Sequence, residues 1–324
     1  MVNSPNSVPL VSVIIPLYNR AHVIERTLKS VLVQTFQDFE VVVVDDGSND
    51  NPSVVIDSIG DPRIRLIRQD NRGGGSARNR GIDVARGQFV AFLDSDDVFL
   101  PDHLAKVVIR LADDPEVAVY SPVIVNRESN RCFLRPPRAI RLGENVADYL
   151  MRDRGFIPTS TLAVSAIKAK IVRYNEKIFY GQDTDFAIRL HLSGVNFIML
   201  PSPGAIVDDS PSAHRLSVRR NLDAASIWLE DLRNSIPRRA YWGYRGWHIA
   251  RHVAASDRVR ALSMSVGAIR RGCYNPRLAL TVIMQVALPQ DSYRFLSRLI
   301  LAAKPLLRVS GFRSTKLPSA RDTD

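Results

Sequence analysis

The chain has 324 residues, 45% apolar and 24% charged, enough for one large α/β domain with an appendage and a core of ordinary size. Its two cysteines, Cys132 and Cys273, lie far apart and in no metal-binding spacing, which excludes a disulfide framework and fits a reducing compartment. The formal charge of +11 is uneven: residues 1–210 carry 24 Lys and Arg against 26 Asp and Glu, residues 211–324 carry 20 against 7, so the basic character belongs to the C-terminal part and points to an anionic surface.

The first residues lack a basic segment leading into an apolar core, and no apolar run reaches the ~18 residues of a spanning helix; neither a signal peptide nor a membrane span is expected. Val11 to Ile15 is a continuous apolar run, read as a buried parallel strand that Pro16 stops. A helix is expected from about Ala21 to Gln34. Phe39 to Val44 forms a second strand and ends in Asp45, Asp46, Gly47 and Ser48, which also reads as a simple turn. Ile64 to Ile67 is a third short strand. Between Asn71 and Gly81, three consecutive glycines allow a backbone to approach a ligand, and Ser76 can open a helix whose amide end favours phosphate. Arg78 is then available to a phosphate, or is merely a solvated helix residue. No GK[ST] and no GxGxxG after the first strand occur here, which weighs against nucleotide hydrolysis and dinucleotide binding.

Phe89 to Leu93 is a fourth buried strand that delivers Asp94, Ser95, Asp96 and Asp97 at its end. Ligands of open α/β sheets bind beyond the carboxyl ends of the strands, and Mg²⁺ takes one or two carboxylates together with substrate phosphates. The competing reading is that Asp96 or Asp97 caps the helix starting near Pro101. Strands are expected at 117–120, 123–125, 162–164, 196–200 and 205–207, a helix at 144–151, and loops with an edge hairpin over 126–145. Asp183 and Asp185 fall in the first turn of an amphipathic helix, where the macrodipole favours carboxylates whatever their role. His214 lies in a polar loop. From about Leu216 the pattern is helical; residues 291–309 read as a basic amphipathic helix, suited either to a membrane interface or to packing on the core.

Five of these segments, in order and spacing over residues 10–215, resemble the family 2 glycosyltransferases, inverting enzymes of GT-A fold: Val11 to Asn19, Val44 to Ser48, Asn71 to Gly81, Phe92 to Asp97, and Gly181 to Asp185. The resemblance implies an α/β, Rossmann-like, mainly parallel sheet flanked by helices. Its nucleotide-sugar half would span about 10–115 and its acceptor half about 116–215, with a helical basic extension over 216–324. It also implies roles. Pro16, Tyr18, Asn19 and Asp46 would line the nucleotide pocket, with Asp45 supporting that loop and Arg78 reaching the base or a phosphate. Asp94 and Ser95 would face ribose or donor sugar. Asp96 would hold Mg²⁺ or Mn²⁺, with His214 as a further metal ligand. Asp183 would be the base and Asp185 its fallback. Gln182 departs from the Glu-Asp pair common in the family, which puts an acceptor role at 182 in doubt.

The function so implied is metal-dependent, inverting transfer of a sugar from a nucleotide-diphosphate donor, UDP-linked in first preference, to a saccharide or lipid-linked hydroxyl in cell-surface polysaccharide or glycolipid synthesis. The expected place is the cytoplasm, with peripheral contact on the inner face of the plasma membrane and no nucleic-acid partner. A nucleotidyltransferase on a related sheet, or a non-catalytic protein binding anionic surfaces, are the alternatives. The first would want a glycine-rich basic loop where Pro16 to Asn19 stand.

Overall fold

Alternation along the strands sorts the apolar side chains onto the two faces of a central sheet. The computed structural model describes residues 8–127, 131–178, 181–208, 222–289 and 292–293. In chain order the elements are β1 (Val11–Leu17), α1 (Ala21–Leu32), β2 (Phe39–Asp45), α2 (Pro52–Ile59), β3 (Ile64–Arg68), α3 (Gly74–Val84), β4 (Phe89–Phe92), β5 (Val98–Phe99), α4 (His103–Asp113), β6 (Val117–Tyr120), β7 (Val123–Arg127) and β8 (Arg131–Arg135). There follow α5 (Val146–Arg152), β9 (Ala163–Ser165), α6 (Ala166–Val172), α7 (Gln182–Leu192), β10 (Asn196–Met199), β11 (Ala205–Asp208), α8 (Leu222–Asp231), α9 (Arg238–Tyr244), α10 (Ala250–Val253), α11 (Arg258–Arg270) and α12 (Pro276–Ala287).

The main sheet has the order β10-β6-β9-β4-β1-β2-β3. Its pairings are parallel except at β9, which runs antiparallel to both β4 and β6. A smaller sheet, β5-β11-β7-β8, contains the expected edge hairpin. Ile14, Val90, Phe92 and Tyr120 point to one face and pack with Ile82, Tyr149 and Phe186. Val13, Ile15, Val41, Val43 and Ala91 point to the other and pack with Ile24, Leu28, Leu104 and Val107. This is the two-residue period of a strand covered on both sides, which is why these segments read as unbroken apolar runs.

One expectation is corrected by this architecture and one open alternative is narrowed. Pro16 does not stop β1, which runs on to Leu17 against β2. Leu93 donates its amide to the Ile14 carbonyl at 3.1 Å, so Pro16, two residues on, faces the same flank, where β4 has already ended and no ladder amide is lost. Among the described residues after 215, the helical extension packs on the core, the second of the two readings its pattern allowed. Trp228, Leu229, Leu232, Tyr241, Tyr244 and Ile249 enter the same apolar cluster as Ile14 and Phe92. Arg152 Nε donates to the Cys273 carbonyl at 2.9 Å, tying α5 to the end of α11. Burying such a side chain is worth about 1.5–3 kcal/mol, so helices α8 to α12 complete one face of the domain. Residues 294–324, which include nearly all of the amphipathic segment, lie outside the described residues, and no described helix is long and apolar enough to cross a membrane.

Candidate active site

Because β1, β2 and β4 are parallel neighbours, their C-terminal ends open on one edge. The expected residues Tyr18, Asn19, Asp45, Asp46 and Asp94 to Asp97 all leave the sheet there. Asn19 adopts φ 51°, a left-handed backbone that Asn tolerates. Its amide donates to Ser48 Oγ at 2.9 Å and its Oδ1 accepts from the Asn49 amide at 2.8 Å, which ties the β1 and β2 loops together. Tyr18 beside it is 44% exposed, free to lie against a planar ligand.

Asp45 and Asp46 are both buried, and they do different things. Asp45 accepts the Ser48 amide at 2.9 Å and closes its own turn. Asp46 reaches the segment between β3 and α3. One of its oxygens accepts from Gln69 Nε2 at 2.7 Å and the Arg72 amide at 2.9 Å, the other from the Gly73 amide at 2.8 Å. It therefore holds the glycine segment in place at the start of α3. Gly47, Arg68, Gln69, Asp70 and Asn71 line an open polar depression of about 600 Å³ beside the same loops. Gln69 carried no signature in the sequence beyond its place just past a parallel strand.

α3 sits hard against the sheet: a Cβ on Gly81 would stand 2.4 Å from Ile14 Cγ2. That close approach aims Arg78 along the strand ends. Its Nη2 donates to Asp94 Oδ1 at 2.5 Å and its Nη1 to Gln182 Oε1 at 3.4 Å, while its guanidinium lies 5.3 Å from the centre of the Tyr174 ring. Arg78 Nε is buried without a hydrogen-bond partner. Gln182 is wedged over the glycine segment, its Nε2 only 2.7 Å from where a Cβ on Gly75 would be. The first turn of α7 thus meets the first turn of α3, and Asp183 is brought beside Arg78 and Asp94.

Asp183 is half-buried. Its carboxyl is held above the ordinary aspartate range, chiefly because its surroundings exclude water; the Thr184 amide at 2.9 Å and the charge of Arg78 pull it down, and the charge of Asp94 pushes it up. Asp185 is placed differently from the expectation. It is 1% exposed, and both oxygens are engaged, one by Trp228 Nε1 at 2.8 Å and the other by Arg189, whose Nε lies at 2.8 Å. The helical spacing that puts Asp183 in the cleft turns Asp185 inward, so it anchors α8 to α7 and does not face a substrate. Asp185 and Arg189 stand four apart on one helix, a spacing that could have signalled the ion pair; nothing local points to Trp228, forty-three residues away.

The β4 acids divide in the same way. Asp97 is buried, accepts from Ser160 Oγ, and is held well above the usual carboxylate range by burial and by the charges of Asp94 and Asp96. It caps no helix; Asp102 precedes α4. Ser95 is also buried, and its carbonyl accepts from Thr27 Oγ1 at 2.9 Å. Asp94 and Asp96 have side chains 36% and 29% exposed. Asp96 pairs with Arg20 and its carbonyl accepts from Arg26 Nη2 at 2.8 Å, two contacts from α1 and the residue before it that the sequence did not announce. Among the described residues no three His, Cys, Asp or Glu side chains converge on a cation position. Two half-open carboxylates at a strand end suit a cation that borrows the rest of its ligands from a diphosphate, and do not suit an all-protein cage. His214 lies outside the described residues.

Comparison with known proteins bears on the family and the fold. The family model described as Glycosyl transferase family 2 matches residues 12–167. The amylovoran biosynthesis glycosyltransferase AmsB of Erwinia amylovora is 32% identical over 252 residues, 74% of this chain and 82% of its own length. The succinoglycan biosynthesis protein ExoO of Rhizobium meliloti is 47% identical over 106 residues, 32% of this chain and 30% of its own. S. aureus TarS 1–349, solved in complex with UDP-GlcNAc, has the same fold with a TM-score of 0.60 at 18% identity, covering 90% of this chain and 91% of TarS 1–349.

Proposed function

Since the chain belongs to glycosyltransferase family 2, and is therefore a glycosyltransferase, we propose that it moves a sugar from a nucleotide-diphosphate donor onto a hydroxyl with inversion, with Asp183 as the base. Membership sets aside the nucleotidyltransferase and the non-catalytic readings. The observation that carries the mechanism is the junction of α3, β4 and α7: Arg78 spans from Asp94 on the donor side to Gln182, the neighbour of Asp183.

In this reading Tyr18 lies against the base, and the loop organised by Asn19, Asp45 and Asp46 forms the nucleotide pocket. Asp94 faces the ribose or the donor sugar. Asp183 takes the proton from the acceptor hydroxyl as its oxygen bonds to the anomeric carbon, and the bond from that carbon to the diphosphate oxygen breaks on the opposite side. A raised carboxyl is a stronger base than an ordinary aspartate once it is ionised. Mg²⁺ or Mn²⁺ held by Asp96 would supply positive charge to the departing diphosphate. A single displacement driven by one base, with no covalent intermediate, gives inversion.

A uridine donor is favoured by the likeness to TarS, and a saccharide acceptor in exopolysaccharide assembly by the names of AmsB and ExoO. Peripheral membrane contact is supported by the charge of residues 211–324 and by exposed Arg258, Arg260, Arg270 and Arg277; co-sedimentation with anionic but not neutral vesicles checks it. A cytoplasmic place follows from the same reading, with no nucleic-acid partner. The test of the whole is a donor screen of UDP-, GDP- and dTDP-sugars with Mn²⁺, read by thermal shift and by anomeric configuration of the product. A shift with none of the donors, or a retained anomeric configuration, refutes it.

A further inference from the structure

Helix α1 and the residue before it grip the acidic loop after β4 with three contacts. Thr27 Oγ1 donates to the Ser95 carbonyl at 2.9 Å, Arg26 Nη2 to the Asp96 carbonyl at 2.8 Å, and Arg20 Nη1 to Asp96 Oδ2. The first two hold the backbone. The third uses the carboxylate itself. Arg20 stands one residue before α1, in the same loop as Tyr18 and Asn19, and its side chain is 22% exposed, so it lies at the rim of the cleft and not beneath it. A guanidinium and a divalent cation compete for the same carboxylate lone pairs.

We propose that Arg20 is an internal cation that occupies the metal position at Asp96 until a nucleoside diphosphate arrives. The inference rests on Asp96 being the metal carboxylate. In the donor-free protein a divalent cation must displace Arg20 and leave a guanidinium without its partner at a half-buried site. When the diphosphate is present, the displaced guanidinium has a new anionic partner within the same cleft, and Arg is suited to such bidentate capture. The protein therefore takes up metal together with donor, and does not charge itself with metal beforehand. Arg20 is a positioning residue for Asp96, not a group that touches the reacting atoms.

The experiment is a Mn²⁺ titration followed by the loss of the free-ion electron paramagnetic resonance signal, on the full chain, without and with UDP. Wild type should bind Mn²⁺ weakly alone and markedly more tightly with UDP. Arg20→Gln should bind Mn²⁺ alone about tenfold more tightly than wild type, since a charge-assisted hydrogen bond no longer competes. Arg20→Lys, which keeps the charge, should stay near wild type; melting curves of both variants confirm folding. Unchanged or weaker Mn²⁺ binding by Arg20→Gln overturns the proposal. Asp96→Asn separates the two layers: if it leaves Mn²⁺ binding with UDP intact, the metal reading of Asp96 is what has failed. If Asp96→Asn abolishes binding and Arg20→Gln does not tighten it, only the Arg20 inference falls.

Discussion

Arg78 and Asp94 form a 2.5 Å ion pair that joins the first turns of α3 to the end of β4. The same guanidinium bears on Asp183, so Asp94 and Asp183 share one positive charge. Replacing Asp183 by Asn keeps the shape and removes the proposed base. The turnover number should fall by about 10²–10⁴, the contribution typical of a positioned general base. Donor affinity, measured by calorimetry with UDP, should stay within a few-fold; a variant that keeps wild-type turnover would assign the base elsewhere.

The raised carboxyl of Asp183 gives a pH signature. A base must be ionised to act, so the acidic limb of the turnover profile should lie above the ordinary aspartate range. Arg78 lowers the proton affinity of Asp183, so Arg78→Gln should move the limb to higher pH, and Asp94→Asn, which removes a like charge, should move it lower. A limb that ignores both changes belongs to another group.

Stability should respond with a definite sign. The folded protein binds the Asp183 proton more tightly than the unfolded chain does, so this group costs stability as pH rises above the unfolded aspartate value. Asp183→Asn should therefore melt at or above the wild-type temperature at neutral pH, and the advantage should vanish in acid. Calorimetry across pH 3–8 measures it; a neutral-pH loss would show that the carboxylate stabilises the fold.

Two glycines of α3 should separate packing from function. On Gly81 a methyl would strike the wholly buried Ile14, and Gly81→Ala should cost about 1–3 kcal/mol of unfolding free energy. On Gly75 it would meet only the end of the Gln182 side chain, which can turn aside. Gly75→Ala should alter stability by less than about 1 kcal/mol, within the range of mild substitutions, and lower catalytic efficiency several-fold by displacing Gln182 and Arg78. Denaturant melts and kinetics on the pair decide it.

Trp228→Phe removes the indole donor from a carboxylate that is 1% exposed, and should cost about 1–3 kcal/mol while leaving turnover at low temperature within twofold. Ending the chain at residue 221 would strip Trp228, Leu229, Tyr241 and Tyr244 from the core and should give no soluble folded domain. A soluble, cooperatively melting fragment would restore the picture of an independent tail.

What the residues announce by themselves is whatever depends on local pattern. Apolar runs of strand length, punctuated by Asp45-Asp46 and Asp94 to Asp97, reveal a parallel sheet with acids at its carboxyl ends, because strands covered on both faces are mostly apolar until they leave the sheet, the buried Ser12 and Glu40 being hydrogen-bonded to each other. Asp183 is legible as a helix-start acid in motif order. Tertiary structure alone decides how each acid is used. Asp46 and Asp97 are taken up by backbone amides or by Ser160, Asp185 by a tryptophan far along the chain, and Asp96 by an arginine of the first loop. It alone also shows that the helices after 221 complete the core, since a helix's period gives its apolar face but not the surface that covers it.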